Sequence, residues 1–92
     1  MMYAVQMTHL EKNLKALANG RRLAILKVVL RKKHASVSTI AEAIKLSFKS
    51  TSRHLAILSN AGILDKEQIG LEVMHSLSEN RHPIVSEILK AL

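Results

Sequence analysis

Apolar side chains recur at intervals of three and four along most of this chain, and the interval shortens to two in one stretch towards its C-terminal end. Tyr3, Met7, Leu10, Leu14 and Leu17 form the first stripe, and Thr8 with Glu11 makes a T-x-x-E capping box, so a helix is expected over about 8–18. A stripe of that length, with little chain to cover it, favours a seam with another helix. Asn19 is the expected cap of a second helix, Gly20 to about Arg31, with Leu23, Leu26 and Leu30 facing inward. Arg31-Lys32-Lys33 ends it and complements the negative end of its dipole. Ser38 is expected to cap a third helix running to about Ile44, with Ile40, Ala41 and Ile44 on one apolar face and Glu42 near the positive end. Lys45-Leu46-Ser47 then supplies a turn, and Ser47 can cap a fourth helix. On that helix Thr51, Leu55 and Leu58 point inward, while Phe48, Lys49, Ser52 and Arg53 lie on or near the opposite face. Asn60-Ala61-Gly62 ends it, Gly62 being suited to the left-handed residue just past a helix C-terminus.

Beyond Gly62 the alternation of Val73, His75 and Leu77 with Glu72, Met74 and Ser76 predicts a hairpin with one covered face. Its strands are expected at about Leu64–Gln68 and Glu72–Leu77, around a turn at Ile69-Gly70-Leu71. Pro83 reads as the first residue of a last helix, about 83–92, with Ile84, Val85, Ile88, Leu89 and Leu92 on its apolar side. The expected fold is mainly α with a small β-hairpin, a winged helix-turn-helix: a helix-turn-helix at about 38–60, a wing at about 64–77, and one domain spanning 1–92. In a helix-turn-helix the second helix enters the major groove of duplex DNA, and the side chains near its start face base edges.

Charge is distributed in keeping with that. The net charge is +7, but residues 1–60 hold eleven Lys or Arg against Glu11 and Glu42, a balance of +9, whereas residues 61–92 hold three against five acids, a balance of −2. Positive charge near the presumed reading helix attracts phosphates and makes affinity fall with salt. Only Tyr3 and Phe48 are aromatic, too few for the stacking platforms of single-strand and RNA binders, so double-stranded DNA is the better target. Arg21, Arg22 and Lys27 either reach phosphates or simply solvate the domain. His54 is expected to pack sideways or bond locally rather than read a base.

Other classes are disfavoured. The sequence has no cysteine nucleophile, no G-x-S-x-G, no phosphate-binding Gly-Lys-Ser/Thr loop and one Asp, so an enzyme is not expected. His9, His34, His75 and His82 show no metal-ligand spacing, and no cofactor is implied. Lack of cysteine suits a reducing cytoplasm, and neither a signal peptide nor a membrane span is apparent. Ninety-two residues leave much apolar surface uncovered unless a partner lies on it, which makes a homodimer the expectation.

Two segments carry a resemblance. L-K-A-L-A-N-G-R-R-L-A-I-L, Leu14 to Leu26, and S-R-H-L-A-I-L-S-N-A-G-I-L, Ser52 to Leu64, are similar to the ArsR/SmtB-type winged-helix transcriptional regulators, and the likeness extends over nearly the whole chain. The resemblance implies a homodimer built from the first and last helices, through Tyr3, Met7, Leu10, Leu14, Leu17, Ile84, Ile88, Leu89 and Leu92. It also implies binding to an imperfect inverted repeat in operator DNA, usually as a repressor released by a ligand. The family's DNA contacts map onto Phe48, Lys49, Ser52 and Arg53, with Ser50 a further candidate.

The chain departs from the family pattern in three places. There is no cysteine between Val37 and Ala43, where the thiolate sensor would lie, and His82 precedes a short helix with no second His. The wing carries Asp65, Glu67 and Glu72 against Lys66 alone, which is expected to repel phosphate. An alternative reading follows from that wing: a protein-interaction or architectural module with only non-specific DNA binding.

Overall fold

The computed structural model describes residues 2–92, with side chains described from Met7 onward. Five helices and three short strands follow one another as α1 (Met2–Leu17), α2 (Gly20–Lys32), β1 (His34–Ser36), α3 (Val37–Ile44), α4 (Phe48–Asn60), β2 (Leu64–Ile69), β3 (Glu72–Leu77) and α5 (Pro83–Leu89). The strands form one antiparallel sheet in the order β1-β3-β2.

Local capping chemistry accounts for most of the boundaries. Asn19 accepts hydrogen bonds from the Arg21 and Arg22 backbone N–H groups and starts α2, as expected. Ser47 accepts from the Ser50 N–H and starts α4, also as expected. The cap of α3 is Ser36 rather than Ser38: its Oγ accepts from the Thr39 N–H at 3.1 Å and donates to Thr39 Oγ1 at 3.0 Å. Both serines are adequate caps in isolation. Ser36 prevails because β1, which had no period of its own to reveal it, pairs Ser36 with Met74 and delivers an extended backbone to the helix entry. Glu42 consequently lies beyond the first turn, which carries no acid.

Helix α1 begins well before the capping box, so Thr8 is an interior helical residue and not a cap. α2 is rotated relative to the stripe Leu23, Leu26 and Leu30. Ile25, Leu26 and Val29 are fully buried and the two outer leucines only half-buried, because α3, α4 and β3 enclose one side of this helix. At the C-terminal end α5 stops at Leu89, and Leu92 follows it as a half-buried residue. His82 is its cap, the Nδ1 accepting from the Ile84 N–H at 3.0 Å.

The core joins these pieces around Leu26, Ile40, Leu55, Leu58, Ile63 and Val85, each at most 1% exposed. Gly62 (φ +77) turns the chain from α4 into β2, and Gly70 (φ +63) opens the tight turn Gly70-Leu71 at the hairpin tip. No helix among the described residues is long and apolar enough to cross a membrane.

Candidate nucleic-acid interface

The α3-turn-α4 unit is held by three contacts of different kinds. Lys45, in the left-handed region at φ +56, ends α3 with its N–H directed to the Ala41 and Glu42 carbonyls. Ser47 then caps α4. Finally, Thr51, Leu55 and Leu58 bury one face of α4 against the core, which leaves the other face outward along its whole length.

That outward face carries the side chains the sequence singles out. Phe48 is 59% exposed, Lys49 and Arg53 are exposed, and Ser50 and Ser52 are half-buried. Lys49, Ser52, Arg53 and Ala56 follow one another at helical spacing, a continuous stripe with two cations and a hydroxyl. The stripe begins at the positive end of the helix dipole, with no acid in the first turn to oppose an anion.

Two residues near this stripe face inward instead. Arg22 donates from Nε to the Ala16 carbonyl at 2.6 Å and from Nη2 to the Lys15 carbonyl at 3.3 Å, satisfying the open C-terminal end of α1. Its Nη1 lies 3.2 Å from His54 Nδ1. A guanidinium has no acceptor, so Nδ1 of His54 accepts and the ring proton sits on Nε2. Burial, then the charges of Arg22 and Arg21, hold the His54 pKa below its ordinary value, in agreement with a neutral ring. His54 thus bonds sideways, as its position predicts, and Arg22 braces α1 against α4. No periodicity announces that role for Arg22, because its partners are backbone carbonyls across a helix junction.

The hairpin sorts the wing's charges onto two faces. Cross-strand register pairs Lys66 with His75 and Gln68 with Val73, and Lys66, Val73 and His75 line the cleft towards α4. Asp65 and Glu67, one residue out of phase, turn to the opposite face of the sheet with Met74 and Ser76. Lys66 is therefore the charged side chain that β2 brings beside Phe48 and Ser52. Alternation in the sequence separates Lys66 from its acidic neighbours, but only the packing of β2 on α4 decides which set faces the helix. At the tip, Ile69 is exposed and Leu71 fully so.

Apolar side chains on the terminal helices divide into two groups. Leu17 and Leu89 are buried within the protomer and belong to its own core. Met7 and Leu14 are 44% and 43% exposed, with Leu10, Ile84, Ile88 and Leu92 half-buried. Tyr3 lies outside the described side chains. The rings of His9 and His82 meet edge to face, with centroids 5.3 Å apart, where α1 meets the entry to α5. Among the described residues no group of three or more His, Asp or Glu side chains is placed to hold a metal ion.

A capped reading helix set on a helix-turn-helix, with a hairpin alongside it, defines a winged-helix DNA-binding domain. More specifically, residues 19–66 match the bacterial regulatory proteins of the arsR family, and the chain belongs to that family of transcriptional regulators. It is 34% identical over 79 residues to the transcriptional activator HlyU of Vibrio cholerae serotype O1, which covers 86% of this chain and 72% of that protein. The structure of reduced HlyU from Vibrio cholerae N16961 superposes with a TM-score of 0.81 at 28% identity, covering 99% of this chain and 92% of that one. The transcriptional repressor PagR of Bacillus anthracis gives 0.80 at 26% identity, covering 96% and 97%. A homodimeric winged helix-turn-helix DNA-binding domain of Mycobacterium bovis, Mb0332, gives 0.81 at 25% identity, covering 96% and 78%.

Proposed function

We propose that the chain acts as a homodimer that binds an imperfect inverted repeat in duplex DNA and represses transcription by occupying it. The observation that carries this reading is the outward Lys49-Ser52-Arg53 stripe, with both cations exposed, on a helix whose other face is buried. In this reading Lys49 and Arg53 take phosphates and base edges, Ser50 and Ser52 bond to the backbone or to bases, and Phe48 meets a thymine methyl. Two such helices, related by a dimer axis through α1 and α5, would meet successive major grooves. The exposed Met7 and Leu14, flanked by half-buried Leu10, Ile84, Ile88 and Leu92, support that axis.

Repression needs only occupancy of the operator. The relatives include both an activator and a repressor, so a reporter gene carrying the selected site is the test of sign. Within this sequence no cysteine is available for a thiolate-bound metal or for thiol redox chemistry, so its signal must reach the domain by other chemistry.

Selection from a pool of randomised duplexes at near-physiological salt tests the proposal. The expected result is an inverted repeat with half-sites about one helical turn apart. Retention without an enriched sequence would indicate an architectural role. No retention would shift the reading to a protein-interaction module using the apolar wing tip at Ile69 and Leu71.

A further inference from the structure

We propose that the outward face of the hairpin docks onto a second copy of this chain, whose groove between α2 and α3 receives the wing tip. Strand register places Asp65, Glu67 and Ile69 on one face of the sheet, with Glu72 opposite Ile69, and this face turns away from α4. Leu71 stands fully exposed at the tip, and Ile69 beside it is 56% exposed. The face thus joins an apolar tip to three carboxylates, while Lys66 belongs to the opposite side. Among the described residues none of these three acids has an ion-pair partner.

Such a surface fits an apolar groove flanked by cations, and α2 and α3 form one. Ala24, Val28, Ala43 and Ile44 line a groove of about 310 Å³, together with the exposed Lys27 and Arg31. Neither of those two side chains has a hydrogen-bond or ion-pair partner among the described residues. A second basic groove, between α1 and α4, is the poorer receptor: its Lys15 is paired with Glu11 at 3.3 Å, and its Arg22 is committed to the Ala16 and Lys15 carbonyls.

The wing tip and the groove must come from different molecules. β2 packs on β3 and α4 and not on α2 or α3, so a tip does not reach the groove of its own protomer. Because the two surfaces differ, the contact is heterologous: an exposed apolar knob entering a preformed pocket elsewhere on an identical chain propagates instead of closing as a two-fold pair does. Opposite charges orient the contact and make it weaken with salt, and its small footprint confines it to high protein concentration. Neither surface includes Lys49, Ser52 or Arg53, nor the exposed Met7 and Leu14 of α1, so the contact stands apart from the DNA-binding reading and from the α1–α5 seam.

Sedimentation velocity of the full chain without DNA tests this, at protein concentrations rising to about 1 mM in about 50 mM and about 500 mM salt. The expected result is species larger than a dimer that grow with concentration at low salt and recede at high salt. Leu71→Ser, at a position with no packing to lose, should weaken this growth at least about tenfold. Glu72→Lys and Arg31→Glu, both at exposed positions, should each weaken it at least about fivefold. An equimolar mixture of those two variants should recover it, because the tip of each then meets a groove of opposite charge on the other. A parent chain that stays at or below the dimer throughout would overturn the contact and leave the tip to a different protein. Growth indifferent to Leu71→Ser, or a mixture no better than its separate components, would overturn it as well. Growth by single protomers instead of dimers would remove the α1–α5 seam and leave this contact standing.

Discussion

Arg22 and Arg53 carry the same charge and lie on neighbouring helices, Arg22 bonded inward and Arg53 exposed, and one paired experiment separates the brace from the proposed DNA contact. Arg22→Met removes one short charged hydrogen bond to the Ala16 carbonyl and two longer contacts, to Lys15 and His54, while keeping much of the aliphatic stem. A bond to a charged donor contributes about 1.5–3 kcal/mol. Water can replace part of it at a half-buried guanidinium, so the expected loss is about 2 kcal/mol. For a chain of this size that corresponds to a melting temperature lower by roughly 10 °C at fixed protein concentration. Arg53→Met touches no described hydrogen bond or ion pair and should stay within about 0.5 kcal/mol of the parent.

Duplex binding should reverse the order. Arg53→Met is expected to reduce the slope of log affinity against log salt by about 0.9 for each phosphate contact removed, and Arg22→Met to leave it nearly unchanged. Thermal melts monitored by circular dichroism, and fluorescence anisotropy over a salt series, supply the two readouts. If Arg22→Met flattened the salt slope as much as Arg53→Met and left the melting temperature alone, the assignment of Arg22 as an internal brace would be wrong.

Two further outcomes are expected. His75 has a folded-state pKa below its ordinary 6.5, so between the two values the unfolded chain binds more protons. The stability it contributes is therefore complete above about pH 6.5 and is lost as the pH falls towards the folded-state value; melts from pH 7.5 to 5 should show this decline, and His75→Gln should flatten it. Leu14→Asp places a charge on the exposed part of the α1 stripe and should shift sedimentation from dimer to monomer, with half-site binding weakened at least about tenfold; an unchanged sedimentation coefficient would place the dimer axis elsewhere.

Much of this fold was legible before any coordinates. The caps Asn19 and Ser47, the inward Thr51-Leu55-Leu58 face, the left-handed Gly62 and the alternating hairpin are all set by interactions within a few residues, and local chemistry declares them. The outward stripe of Lys49, Ser52 and Arg53 follows from the same periodicity, so the sequence by itself determined a helix-turn-helix with a basic outward face. Three features had to wait for tertiary structure. β1 is three residues long, too short for a period, and exists because β3 offers it a partner some forty residues away. That pairing in turn chooses Ser36 over Ser38 as the cap of α3. Arg22 faces inward because the end of α1 presents unpaired carbonyls to it, an arrangement visible only once the two helices meet. The wing shows the division most clearly: period two separates Lys66 from Asp65 and Glu67, but which of the two faces looks onto α4 is decided by the burial of His75 and Leu64 beneath the sheet. Local pattern determines what each element offers, and the nonlocal burial of one face over the other determines which side chains stand beside α4 and which turn away from it.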